Sequence, residues 1–174
     1  MSITDRDVLS GESIYLNEVS RFASRGVLVN SSGQVAMMEM TALNLYKLPG
    51  GGLEEEEDKA EAFLREIREE TGYDAVVTHT LGYIDEHKFK NQFMQRSYCY
   101  IAKAVSQQGD VALSEDEIQL GMRMRWMSIE DAIAKVRFPI VNCEDYSTRF
   151  MLLRDFTILK HASRWLSKGE AMHG

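Results

Sequence analysis

Apolar residues recur at steps of three and four along two stretches of the chain and run almost unbroken along several shorter ones, and the two habits predict different elements. Ala60, Phe63, Leu64, Ile67 and Thr71 form one stripe of a predicted helix that stops at Gly72, where a left-handed residue is expected. A longer stripe of Leu152, Phe156, Leu159, Ala162 and Leu166 predicts an amphipathic helix over residues 144–167. Residues 23–29 and 34–40 predict strands joined by a turn at 30–33, with Ser-Gly as the hairpin signal. Residues 75–85 and 93–105, rich in Val, Ile, Thr and Tyr, predict two further strands, and the polar stretch 86–92 between them predicts a hairpin loop. Residues 123–127 read as a short strand, and Ser128 with Asp131 three positions on predicts a capped helix to Val136.

Met151, Ile158 and Trp165 fall off the stripe of the long helix. A second apolar surface of this kind predicts a homodimer, unless the first twenty residues, with Ile14, Tyr15 and Leu16, fold over it.

Polar positions carry the chemistry. Glu66, Glu69 and Glu70 stand at helical offsets of zero, three and four, so their carboxylates share a face. Like charges so placed destabilise a helix by roughly 0.2 to 0.5 kcal/mol per pair, and a divalent cation reverses the sign. Arg65 lies four residues before Glu69 and reaches Glu57 if the chain folds back, which suits a guanidinium fork that orients carboxylates. The rest of the Glu54 to Glu57 run reads as solvated loop, and Pro49 with Gly50, Gly51 and Gly52 permits a tight entry turn.

Taken together, Gly51, Glu57, Arg65, Glu66, Ile67, Glu69, Glu70, Gly72 and Tyr73, preceded by Leu48, Pro49 and Gly50, resemble the Nudix box. Tyr73 is aromatic where that pattern usually has an aliphatic residue. The order of elements extends the resemblance over residues 20–136. It implies an α/β fold, an alpha/beta/alpha sandwich with a mixed β-sheet, with residues 1–174 as a single domain ending in the long C-terminal helix. The implied activity is pyrophosphatase: metal-dependent hydrolysis of the phosphoric anhydride bond of a nucleoside diphosphate linked to another moiety. Mg2+ or Mn2+ would be held by Glu66, Glu69, Glu70 and the Gly51 carbonyl, with Arg65 and Glu57 completing the catalytic set.

The general base is expected in the box or in a separate loop, where Glu115 and Glu117 are the candidates. Tyr46, Phe89, Phe93 and Trp126 are candidates for stacking on a base. Relatives that use ADP-ribose often carry a proline about where Lys88 and Phe89 stand, which argues against that substrate. Two other classes share the resemblance: a ligand-binding regulator without catalysis, and an isoprenoid-diphosphate isomerase, for which Cys99 would be the central cysteine.

Composition narrows the partners. The 174 residues carry a net charge of -7, from 27 acidic and 20 basic residues, with no basic cluster, so long nucleic acid is not expected as a ligand. Arg21, Arg25, Lys47, Lys88, Lys90 and Arg96 remain to meet a small phosphorylated compound. Cys99 and Cys143 have no metal-binding spacing and predict free thiols in a reducing compartment. With no leader-like N-terminus and no run of eighteen apolar residues, a cytoplasmic protein without a membrane segment is expected.

Overall fold

A computed structural model describes residues 1–107 and 109–173, the side chains from 170 onward excepted. The chain opens with β1 (Ser2–Ile3) and α1 (Asp5–Val8), then β2 (Arg21–Val29), β3 (Val35–Met40), β4 (Leu45–Lys47) and β5 (Gly50–Gly52). It continues through α2 (Lys59–Thr71), β6 (Tyr73–Lys88), β7 (Phe93–Gln107), α3 (Glu115–Gln119), β8 (Met122–Met127), α4 (Ile129–Ile140) and α5 (Tyr146–His173). The strands form one sheet in the order β1-β6-β7-β2-β3-β4, with β5 on β2 and β8 on β3. Pairing is parallel between β1 and β6 and between β2 and β7, and antiparallel elsewhere, so the sheet is mixed.

Both faces of the sheet are covered, which is why the central strands read as unbroken apolar runs. Along β2, β3 and β7 successive residues alternate sides. Leu28, Ala36, Tyr100 and Ala102 meet Phe63 and Ile67 of α2. Val27, Val35, Met37, Cys99 and Ile101 meet Ala132 and Val136 of α4 and Leu152, Ile158 and Leu159 of α5. The result is a helix, sheet and helix sandwich with one core on each side.

Three expectations change. The polar stretch 86–92 is a hairpin loop only in its second half: β6 runs through Lys88, and a 3-10 turn at Phe89–Asn91 with a left-handed Gln92 leads into β7. Glu86 is fully buried because compensation comes from elsewhere, with Gln95 Nε2 donating at 2.9 Å and Arg154 Nη1 lying 3.3 Å away. Second, α4 passes Val136 and ends at Ile140, and its Ser128 cap accepts a bond from Asp131 N at 3.1 Å.

Third, the off-stripe surface of α5 is not one patch. Ile158 is buried in the core, Met151 faces a cavity, and Trp165 stacks on His79 at 3.6 Å between ring centroids. A helix packed along the sheet on one side and against the N-terminal segment on another buries more than one stripe. Ile3 and Val8 join the same core as Ile158, and the Tyr146 hydroxyl binds Asp5. The surface that motivated a homodimer is therefore largely used within one chain.

Asp155 ties α5 to the turn before β5. Its Oδ2 accepts from Leu48 N at 2.9 Å and its Oδ1 from Arg154 Nε at 2.8 Å, and the residue is fully buried. Asp155→Ala should destabilise the protein by roughly 3 to 5 kcal/mol, as removal of one member of a buried ion pair does. Urea unfolding measures it, and a loss under about 1 kcal/mol would show that the pair does not anchor the helix.

Candidate active site

The glycine strand β5 owes its place to its lack of side chains. A Cβ at Gly50, whose φ is +147°, would collide with Arg25 and Ser24 of β2, and a Cβ at Gly51 would come within 2.6 Å of Glu66 Oε1. The backbone thus fits between β2 and the acidic face of α2. That helix starts at Asp58, whose carboxylate accepts from Ala60 N and Glu61 N, and ends at Gly72 with φ 77°.

Phe63 and Ile67 of α2 point to the sheet, which leaves Glu66 and Glu69 on the wall of a cavity of about 620 Å3. Glu70 lies deeper, 2% exposed; its Oε2 accepts from Gly50 N at 3.1 Å, and its Oε1 is buried with no hydrogen-bond donor among the described residues. Burial pushes the Glu70 carboxyl up to about 8, against the attraction of Lys47. Burial likewise lowers Lys47 from the usual lysine range and raises Glu66, the latter offset in part by Arg65.

Arg65 holds the acidic face together. Its Nε donates to Glu57 Oε2 at 2.7 Å, its Nη1 to Glu66 Oε1 at 3.1 Å and Glu69 Oε2 at 3.2 Å, and its Nη2 to Gly52 O at 3.1 Å. The hydrogen bond from Arg65 holds Glu57 below the ordinary carboxylate range. Among the described residues no three carboxylates close on one point as a ready-made metal cage. Three acids sharing one guanidinium explain that spacing, since like charges stay apart where only one cation serves them. The donor set still suits a hard cation: the Glu66 and Glu69 carboxylates on one cavity, and Glu70 Oε1 buried without a partner among the described residues, beside a backbone stripped of side chains.

Of the two loop acids, the structure brings Glu117 to the cavity and leaves Glu115 exposed on α3. Burial raises Glu117, but hydrogen bonds from Ser114 and contact with Glu70 outweigh it and hold the carboxyl below the usual range. None of the four aromatic candidates lines the cavity among the described residues. Tyr46 binds Glu39 and faces a separate groove beside Lys135 and Phe138, while Trp126 packs edge-on against Tyr73. Phe93 lies under the Lys88 ammonium, 5.7 Å from its ring centre, and Phe89 sits in the exposed turn.

Cations take their place. Arg21, Arg25, Lys47 and Lys88 line the cavity, whereas Arg96 pairs with Asp85 and Lys90 covers Tyr146. Arg154, Gln95, Ser147 and Thr148 line it too, none of them part of a motif in the sequence. One signal for this wall was available: Asp155 lies between Leu152 and Leu159 on the apolar stripe, where an unpaired acid is costly and so implies a buried cation beside it.

Comparison with known proteins agrees with this arrangement. A family model described as NUDIX domain matches residues 20–145. The human diphosphoinositol polyphosphate phosphohydrolase 3-beta is 31% identical over 86 residues, 49% of this chain and 49% of that protein. A putative 8-oxo-dGTP diphosphatase of Bacillus subtilis (strain 168) is 35% identical over 66 residues, 38% of this chain and 44% of that one. The matched segments thus span about half the length of these curated relatives. A NUDIX hydrolase from Nitrosomonas europaea shares the fold with a TM-score of 0.57 at 20% identity, over 79% of this chain and 88% of that one. A NUDIX-family hydrolase from Clostridium perfringens does so with a TM-score of 0.53 at 16% identity, over 80% and 96%. With Glu66 and Glu69 of the box on one cavity and the family model matched over most of the chain, this protein belongs to the Nudix family.

Proposed function

We propose that this chain hydrolyses the diphosphate bond of a small phosphorylated compound, using Mg2+ or Mn2+ held by Glu66, Glu69, Glu70 and the Gly51 carbonyl. The observation that carries the reading is a cavity lined by Gly51, Glu66 and Glu69 of the box, with the buried Glu70 Oε1 lacking a donor among the described residues. Two relatives bear the names phosphohydrolase and diphosphatase, which supports diphosphate cleavage as the reaction class. A nucleoside diphosphate linked to another moiety is the substrate form that the sequence resemblance implies. The cavity accommodates its diphosphate, while a base would lie outside the lining, which has no aromatic ring among the described residues.

When bound, the cation supplies charge neutralisation for the diphosphate and eases ionisation of the attacking water. The chain supplies the rest. Arg65 fixes the Glu57, Glu66 and Glu69 carboxylates by its fork, so it positions ligands and does not touch substrate. Glu117 faces the cavity and is the loop acid placed to accept a proton from water attacking phosphorus. Lys47, which lines the cavity just before the glycine strand, meets the phosphate oxygens.

Neither rival class gains from the geometry. Cys99 lies outside the cavity lining, with its Sγ on Ser97 O and its thiol pushed by burial up to about 12, which suits no proton transfer at this site. A regulator without catalysis has no use for the full acidic set. Among the described residues no helix is long and apolar enough to cross a membrane.

A phosphate-release screen over a library of diphosphate compounds, with Mg2+, with Mn2+ and with EDTA, tests the reading; turnover should need the metal. Glu70→Gln keeps an acceptor for Gly50 N but removes a charged ligand, so turnover should fall about a hundredfold or more while the fold is kept. Near-wild-type rates in that variant at saturating metal would sink the metal assignment. Arg65→Lys keeps the charge and loses the fork, and metal affinity and turnover should both drop by about tenfold. A rise confined to the Michaelis constant would instead make Arg65 a phosphate clamp.

A further inference from the structure

The cavity wall opposite the box carries more positive charge than the protein balances. Arg21, Arg25, Lys88 and Arg154 line it, against the two buried carboxylates of Glu86 and Asp155. Both carboxylates are engaged by Arg154, at 3.3 Å and 2.8 Å. Arg25 is only 3% exposed, donates from Nε to Ser97 Oγ at 2.9 Å, and makes no ion pair among the described residues. Burial and the nearby Arg154 lower it to about 10, a cost that an anion in the cavity would remove. Arg21 donates to Gln95 Oε1 at 2.9 Å, and Lys88 rests over the Phe93 and Phe150 rings, again with no ion pair among the described residues. The exposed Asp145 is committed to Thr148, from which it accepts both N–H and Oγ1–H.

Three features give that surplus a direction. Arg21 and Arg25 stand four residues apart on β2, so they share one face and flank the glycine strand paired to it. A Cβ at Gly52 would meet the Arg21 guanidinium at 3.0 Å, so the positive wall begins where the acidic one ends. Ser147, in the first turn of the long helix α5, adds a hydroxyl on the far side, where Thr148 also lines the cavity with its N–H and Oγ1–H given to Asp145. The cavity, about 620 Å3, exceeds what a diphosphate alone fills. No aromatic ring lines it among the described residues, and α5 lies beyond the residues matched by the family model.

We propose that Arg21, Arg25, Lys88 and Arg154, with Ser147 of α5, form an anion subsite that selects diphosphates bearing a further phosphate group away from the bond that is cut. The proposal rests on the hydrolase reading for what happens at the acidic wall, but the subsite's affinity for phosphate does not need that reaction. Two kinds of compound share the chemistry: a nucleotide with an extra phosphate on its sugar, and a polyol polyphosphate without a base.

Isothermal titration of the whole protein in EDTA isolates the subsite from any divalent cation. The probes are methylenediphosphonate, adenosine 3′,5′-bisphosphate and inositol hexakisphosphate. At least one multiply phosphorylated probe should bind about tenfold or more tightly than methylenediphosphonate, with affinity falling as salt rises. The tighter of the two identifies the source, nucleotide or polyol. Arg21→Gln and Lys88→Gln, at the less buried positions, should each weaken that binding by about tenfold without weakening Mn2+ binding measured separately. Thermal melting confirms that each variant is folded, and either one suffices if the other is not. Equal affinity for all three probes, or wild-type affinity in a folded variant, overturns the subsite. Tight, variant-sensitive phosphate binding beside an unimpaired Glu70→Gln enzyme would retain the subsite and reject the metal assignment instead.

Discussion

Charge withdrawn from water at the open end of the sheet has to be balanced inside the protein, and Arg154 is where that balance is struck. Its guanidinium reaches Glu86 on β6 and Asp155 on its own helix, and all three residues are buried. Each such ion gives up several kcal/mol of hydration, which the hydrogen bonds to Arg154, Gln95 and Leu48 N offset, although Glu86 Oε1 has no partner among the described residues. Those bonds also fix the architecture. Asp155 holds Leu48 N just before the glycine strand, and Gln95 joins Glu86 to Arg21, so β2, β6, β7, α5 and the entry to the box are tied by one polar network.

The acidic wall solves the opposite problem. Glu57, Glu66 and Glu69 lie close enough to repel, and one guanidinium, that of Arg65, touches all three and the Gly52 carbonyl besides. Such a fork suits the task because its donors lie in one plane and a lysine offers no equivalent geometry. Glu70 is kept apart from this cluster by depth, bound to Gly50 N, where burial favours its neutral form. Helix α2 can keep an acidic face because Phe63 and Ile67 anchor its other side against Tyr100 and Leu28.

Much of this was legible in the sequence where the signal is local. The periodicity of Phe63, Leu64 and Ile67, the stop at Gly72 and the reach of Arg65 to Glu57 depend on neighbours within one turn or one loop, and each appears in the structure. Strands β2, β3, β6, β7 and β8 came through as runs rich in apolar and β-branched residues, whereas β1, β4 and β5, of two or three residues each, are too short to carry such a run. What escaped depends on partners far apart in the chain. Glu86 and Lys88 look like loop residues until Arg154, 68 positions from Glu86, is placed beside them. Tyr46, Phe93 and Trp126 have the composition of base-stacking residues, but strand direction turned them into other contacts. Ile158 and Met151 were read off a single stripe, which fails for a helix that packs against the sheet and the N-terminal segment at once.

The two walls of the cavity come from different parts of the chain, and this bears on how chemistry and selectivity divide. The acidic wall lies within the residues shared with the family, while Arg154, Ser147 and Thr148 are supplied by α5 beyond them. Binding energy gained at a part of the substrate that does not react can hold the reacting bond in place. A wall of cations does this only for a ligand with charge to offer at that distance. The positive wall cannot move independently of the acidic one, because Asp155 links α5 to the strand that presents Gly50 and Gly51. Phosphate held beside Arg154 therefore fixes its own position relative to the glycine strand, so the long helix contributes to placing the bond to be cut without reaching it.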